Sequence, residues 1–276
     1  MKFEAHDVAA PHSDHVEAIF HFSEFTPDHS IERVVPTGHV FLLIELDGMQ
    51  RTVFDNKSLQ PLSVCNDAWI SGMQQHYLSI SAHQNSSMFV IQFRAAGAYP
   101  YLHTPMHELS NRVTPAAELA GAELLALRRE LLNSTTSAEK FSAAERWLDA
   151  RLRIDLIAPD GVASVVAALQ AAPANEFAAA VSNFDGSHKH LIDQFHKYVG
   201  LTPKRYQRVL RFNEIFGHIQ REQRLDWADI AARCGYSDQS HFIREFKHFS
   251  GFNPSEFIRE RFDEGEANFF PLDRDG

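Results

Sequence analysis

The sequence predicts an α+β fold: a β-rich, sensor-like N-terminal domain with trailing helices, followed by an all-α C-terminal domain. Three observations predict it. Between residues 31 and 95, apolar runs of strand length alternate with short polar breaks. From about residue 105 the apolar residues fall three and four apart. Finally, a helical motif near residue 200 recurs 51 residues downstream. Short apolar runs bounded by turn residues mark strands, and three-and-four spacing marks one face of a helix.

The strand-like runs are VFLLIEL (40–46), RTVF after the turn Asp47-Gly48, AWISGM (68–73), YLSISA (77–82) and MFVIQF (88–93). Gaps of hairpin length predict an antiparallel sheet or small barrel. AAELAGAELLALRRELLN (116–133) and SAEKFSAAERWLDARL (137–152) follow as amphipathic helices. Pro159-Asp160-Gly161 is the clearest break, and divides the chain into segments 1–158 and 159–262. Everything from 162 to 262 reads helical, and 263–276 is an acidic tail of irregular structure.

Composition narrows the function classes. Of 276 residues, 44% are apolar and 22% charged, as in soluble globular proteins. No run of about 18 apolar residues is present, so no membrane partner is expected. The N-terminus MKFEAHDVAAPHSDH lacks the apolar core of a secretory signal. Cys65 and Cys234 stand alone without CxxC spacing, which predicts a reducing cytoplasm. The net charge of −10 argues against a polyanion partner until the chain is divided. Residues 1–181 hold 12 Lys/Arg against 21 Asp/Glu, whereas 182–262 hold 13 against 10 and six histidines. The positive charge is thus concentrated in one segment.

That segment contains the repeat. FHKYVGLTPKRY (195–206) and FKHFSGFNPSEF (246–257) align without gaps: Phe195 with Phe246, Gly200 with Gly251, Pro203 with Pro254, Tyr206 with Phe257. Two copies mean one duplicated supersecondary unit rather than a solenoid. In the second copy LDWADIAARCG (225–235) is a short helix that Gly235 can end, because glycine tolerates positive φ. Ser237 or Asp238 can cap the next helix. Two helices joined this way form a helix-turn-helix.

At 100° per residue, Phe242, Phe246 and Phe249 share one arc of the second helix and must pack inward. Ser240, Arg244 and Lys247 face the other way, flanked by Ile243 and His248, with Gln239 in the first turn. This is the donor and acceptor set a DNA major groove requires: Arg for guanine, Gln for adenine, Lys or His for phosphate. In the first copy Leu191, Phe195 and Tyr198 turn inward, while Lys189, Asp193 and His196 turn outward beside Ile192. Asp193 would repel phosphate unless it accepts from a cytosine amino group.

The stretch DIAARCGYSDQSHFIREFKHFSGFNPSEF closely resembles the signature of AraC/XylS-type transcription regulators, and SHKHLIDQFHKYVGLTPKRYQRVLRF resembles the family's first helix-turn-helix and the start of its linker helix. The resemblance covers about 160–262. It implies two helix-turn-helix units joined by a long helix, here about 203–220, which at about 1.5 Å per residue spans roughly 27 Å. That length sets the reading helices near one turn of DNA apart. By position, the family's base-contacting sites fall on Gln239, Ser240 and Arg244 in the second unit and on Lys189, Ile192 and Asp193 in the first. Phosphate contacts fall on Lys204, Arg205, Lys247 and His248. Double-stranded DNA is the implied partner, with RNA polymerase a further candidate and no cofactor required.

The resemblance also implies that residues 1–158 sense a small-molecule effector, mediate homodimerisation, or both. Arg94 ends a strand beside Ala95-Ala96-Gly97 and could hold an anion, with Trp69 and His76 as further candidates for a ligand site. His39, His76, His83, His103 and His107 invite a metal reading, but no HxH or HxxxE motif lies on a strand and Pro105 interrupts the one helix-compatible pair. No metal site and no catalytic residue are expected. The alternatives to a DNA-binding regulator are a cupin-like metal-dependent enzyme with a helical appendage, or a protein-interaction module.

Overall fold

The computed structural model describes residues 1–119, 121–221, 226–259 and 269–273. Its strands are β1 (Lys2–His6), β2 (Val16–Phe25), β3 (Ile31–Val34), β4 (Val40–Glu45), β5 (Arg51–Phe54), β6 (Pro61–Cys65), β7 (Ala68–Ser71), β8 (Leu78–Ser81), β9 (Ser86–Phe93), β10 (Val113–Pro115) and β11 (Phe269–Pro271). They form two antiparallel sheets, of order β1-β2-β9-β4-β7-β10 and β11-β3-β8-β5-β6.

Period-two alternation explains how the sheets stack. On β4, Val40, Leu42 and Ile44 point to one side of the larger sheet, as do Phe89, Ile91 and Phe93 of β9 and Ile70 of β7. Phe41 and Leu43, Met88 and Val90, and Trp69 point to the other. The second set meets Val53, Leu78, Ile80 and Cys65 of the smaller sheet, making an apolar layer between the two. The first set is covered by helices α1 (Tyr99–Leu102), α2 (Met106–Leu109), α3 (Gly121–Asn133) and α4 (Ser137–Arg151). Thr136 starts α4 with a capping box: its hydroxyl accepts from Glu139 N, and the Glu139 carboxylate accepts from Thr136 N.

The C-terminal half is helical: α5 (Asp160–Ala171), α6 (Phe177–Val181), α7 (His188–Tyr198), α8 (Pro203–Arg221), α9 (Trp227–Arg233), α10 (Gln239–Ser250) and α11 (Pro254–Arg259). Its core is aromatic, with Phe212 and Phe216 of α8 packed against Phe246, Phe249 and Phe257. Among the described residues no helix is long and apolar enough to cross a membrane.

The expected strands at 40–46, 68–73, 77–82 and 88–93 are present to within two residues at their ends. Several elements differ from expectation. Strand structure begins at Lys2 rather than near 31, and β2 is ten residues long. The helix expected over 116–133 opens as a 3-10 turn at Ala116–Glu118, with α3 beginning at Gly121. Of the tail expected to be irregular, Phe269–Pro271 is a strand, paired antiparallel to β3 with Phe270 opposite Arg33. Such a pairing depends on residues over 200 positions away, which no local pattern encodes. The remainder of 263–276, and 260–262 of the helical segment, lie outside the described residues.

Candidate nucleic-acid interface

The second repeat builds its site from the turn outward. Asp226 caps α9 by accepting from Ala228 N and Asp229 N at 2.9 and 3.3 Å. The chain leaves α9 through Gly235, whose φ of +72° is open to glycine at little cost. Of the two expected caps for α10, Asp238 serves, accepting from His241 N at 2.7 Å. That bond and the Ser237 hydroxyl hold the Asp238 carboxyl below its ordinary range.

The two faces of α10 separate as the sequence predicts. Phe242, Phe246 and Phe249 are at most 2% exposed, and Trp227 lies 5.5 Å from Phe242 ring to ring. Gln239, Ser240, Ile243, Arg244 and Lys247 are exposed. Among the described residues, neither Arg244 nor Lys247 makes a hydrogen bond or ion pair, and both side chains lie at the surface. His248 differs: its ring lies 6.2 Å from that of His76 in the N-terminal half. Burial and the charge of Arg208 hold its imidazole below the usual histidine range.

Two arginines of α8 fix this unit in place, and sequence reasoning did not single them out. Arg208 donates from Nε and Nη2 to the two carboxylate oxygens of Glu245 on α10, at 2.9 and 2.7 Å. Burial alone would raise the Glu245 carboxyl, but the hydrogen bonds and charge of Arg208 outweigh it and hold the group below its ordinary range. One turn on, Arg211 donates to the carbonyls of Cys234 and Gly235 and lies 4.7 Å over the Tyr236 ring. Their three-residue spacing on one face of the linker helix was the available signal.

In the first repeat Ser187 caps α7, accepting from His190 N at 3.1 Å. Leu191, Phe195 and Tyr198 are buried, Lys189 and Asp193 exposed, and Ile192 half-buried. His196, expected to face outward, lies half-buried with its ring 6.4 Å from His107 of α2. Lys204 and Arg205 are exposed in the first turn of α8.

The three candidates for a ligand site in the N-terminal half are not brought together. Trp69 is buried in the layer between the sheets. Arg94 instead pairs with Glu17 and donates to the Ser13 carbonyl, so its guanidinium already has an anion. His76 is exposed beside α10. Within the inter-sheet layer Phe20, Phe22, Phe41, Leu43 and Leu78 are only half-buried, so its apolar walls are incompletely closed. Among the described residues no group of three or more metal-ligating side chains converges. His83 engages Ser81 and the Gln50 carbonyl, and His103 engages the Arg151 carbonyl.

Residues 182–260 match a family model described as a helix-turn-helix domain, and residues 9–115 match one described as a domain of unknown function, DUF6597. Over 83 residues, 30% of this chain, the sequence is 34% identical to the HTH-type transcriptional activator RhaS of Escherichia coli strains HS and K12/DH10B. The match spans 30% of those relatives. Solved structures of ToxT from Vibrio cholerae are similar at 12% identity and a TM-score of 0.44, covering 94% of this chain and 98% of that one. An unsaturated fatty acid-bound ToxT is similar at 10% identity and a TM-score of 0.44, covering 87% and 94%.

Proposed function

We propose that this chain, whose C-terminal part carries a helix-turn-helix domain of the AraC type, is a cytoplasmic, sequence-specific DNA-binding regulator of transcription. One observation carries the proposal. The outer face of α10 offers Gln239, Ser240, Arg244 and Lys247 to solvent while its inner face is fixed by three phenylalanines and the Arg208–Glu245 pair. A helix held this rigidly with unengaged hydrogen-bonding groups outward suits direct readout in the major groove. Gln239, Ser240 and Arg244 read bases, and Lys247 with Lys204 and Arg205 meets phosphates. The first unit reads through Lys189, Ile192 and Asp193, and Asp193 restricts it to a cytosine amino group. His248 is a weaker phosphate contact, being drawn toward His76.

Residues 1–158 form the effector-sensing and dimerisation part in this reading, and 159–262 the DNA-binding part. The half-open apolar layer around Trp69 supports a small effector with an apolar body. The α3 face supports a homodimer contact, since Leu125 and Leu132 remain exposed beside buried Leu124, Leu127 and Leu131. RNA polymerase is a candidate further partner, and no catalytic role is assigned.

The test is equilibrium binding of the whole chain to its own upstream DNA at two salt concentrations. Specific binding that weakens steeply with salt supports the reading. Absence of binding to that DNA, or to random DNA, with and without a small-molecule panel, overturns it.

A further inference from the structure

The two repeats end alike, on glycines pressed against the N-terminal half. Gly200 follows α7 and Gly251 caps α10, at φ of +95° and +77°. A Cβ at Gly200 would lie 2.4 Å from Ser110 Oγ and 2.9 Å from the Met106 carbonyl oxygen. At Gly251 it would lie 2.7 Å from Tyr77 and 2.8 Å from Arg33. Arg33 of β3 is the centre of the second contact. Its guanidinium sits 4.8 Å over the Tyr77 ring and 4.4 Å over the Phe252 ring, a cation held between aromatics of the two halves.

The tail closes over this contact. β11 adds to the edge of β3, and Phe270, 2% exposed, enters the aromatic core of the helical half, stacked on Phe216 at 5.8 Å and against Phe257 at 4.9 Å. Beyond it Leu272 N donates to the Ile31 carbonyl at 2.9 Å. Asp273 then accepts from Ser30 N and Ile31 N at 3.1 and 2.8 Å, and from the Ser30 hydroxyl. One five-residue segment thus bonds through its backbone and the Asp273 carboxylate to the smaller sheet, and packs through Phe270 into the core of the helical half.

We infer that Phe269–Asp273 is an intramolecular strap that fixes the second helix-turn-helix unit on the smaller sheet, making β3 the element through which the two halves move together. Covering an open sheet edge is a use any strand could serve. Delivering Phe270 into the opposite half is not required for that, and it is what couples the halves. An interface of separate domains otherwise permits relative motion by default. The inference concerns coupling alone and stands or falls without reference to DNA.

The experiment places spin labels on the full chain at Ser63→Cys on β6 and Ala232→Cys on α9, both exposed positions, and reads the inter-label distance by electron–electron double resonance. Native Cys65 and Cys234 are 1% and 0% exposed, and burial raises the Cys65 thiol to about 11, so neither competes for label. The intact strap gives one narrow distance. Asp273→Ala and Phe270→Ala broaden or shift it while circular dichroism stays native. An unchanged distribution in the natively folded variants overturns the inference. Asp273 lies at the surface, so Asp273→Ala alone decides should Phe270→Ala fail to fold.

Discussion

Arg208 on α8 and Glu245 on α10 form a two-pronged ion pair, with Nε donating to one carboxylate oxygen and Nη2 to the other. The pair joins the helix that spaces the two units to the helix proposed to read DNA. Its orientation is set by geometry rather than charge alone, because the guanidinium fork matches the carboxylate plane.

Arg208→Ala should therefore destabilise the helical half by about 1–2 kcal/mol at neutral pH, less than a fully buried pair because Arg208 is partly exposed. Urea denaturation followed by circular dichroism measures it. The pH dependence has a definite sign. Glu245 is held below its ordinary value, so its contribution is present above the unfolded carboxyl pKa and is lost as pH falls through the depressed folded value. In Arg208→Ala this acid-side loss should shrink. Unchanged stability and pH profile would show that the pair is decorative.

Asp238 supports the first turn of α10, where Gln239 and Ser240 lie. Asp238→Ala should cost about 0.5–2 kcal/mol of stability, and Asp238→Ser should restore most of it. DNA affinity should fall in Asp238→Ala and recover in Asp238→Ser. A loss of affinity that the serine variant fails to repair would mean Asp238 acts otherwise than as a cap.

Gly251→Ala combines a left-handed backbone with close approach to Tyr77 and Arg33, and should cost about 1–3 kcal/mol. Part of that cost comes from the Arg33 side chain, so Arg33→Ala in the same chain should recover part of it. Gly200→Ala meets both the Ser110 hydroxyl and the Met106 backbone, so Ser110→Ala should recover only the part of the cost that the hydroxyl causes. A double-mutant cycle measures the difference. Additive costs for Gly251→Ala and Arg33→Ala would contradict the contact.

Much of this site is legible in the sequence for a physical reason. α10 has three phenylalanines on one arc, so its buried and open faces follow from helical period alone. The strands of β4 and β9 were equally plain, being apolar on both faces because each is covered on both. What local pattern does not encode is pairing at a distance. β11 is three residues whose partner is β3, and its strand character comes from that edge. Arg94 ends a strand as an anion holder would, yet the pairing of β2 with β9, strands far apart in the sequence, brings Glu17 to it. His196 turns outward on a helical wheel that knows only its own helix, whereas α2 of the N-terminal half lies against it and leaves it half-buried; His248 is exposed as the wheel predicts.

The central claim is that α10 reads bases, and the contrast between Arg244→Ala and Lys247→Ala tests it most directly. Both variants are titrated against the chain's upstream DNA and against versions with single base changes. Arg244→Ala should cost about 1–3 kcal/mol and relax discrimination at one position, while Lys247→Ala should weaken all sequences alike and reduce the salt slope by about one. Affinity and base preference in Arg244→Ala equal to those of the unaltered chain would contradict the account.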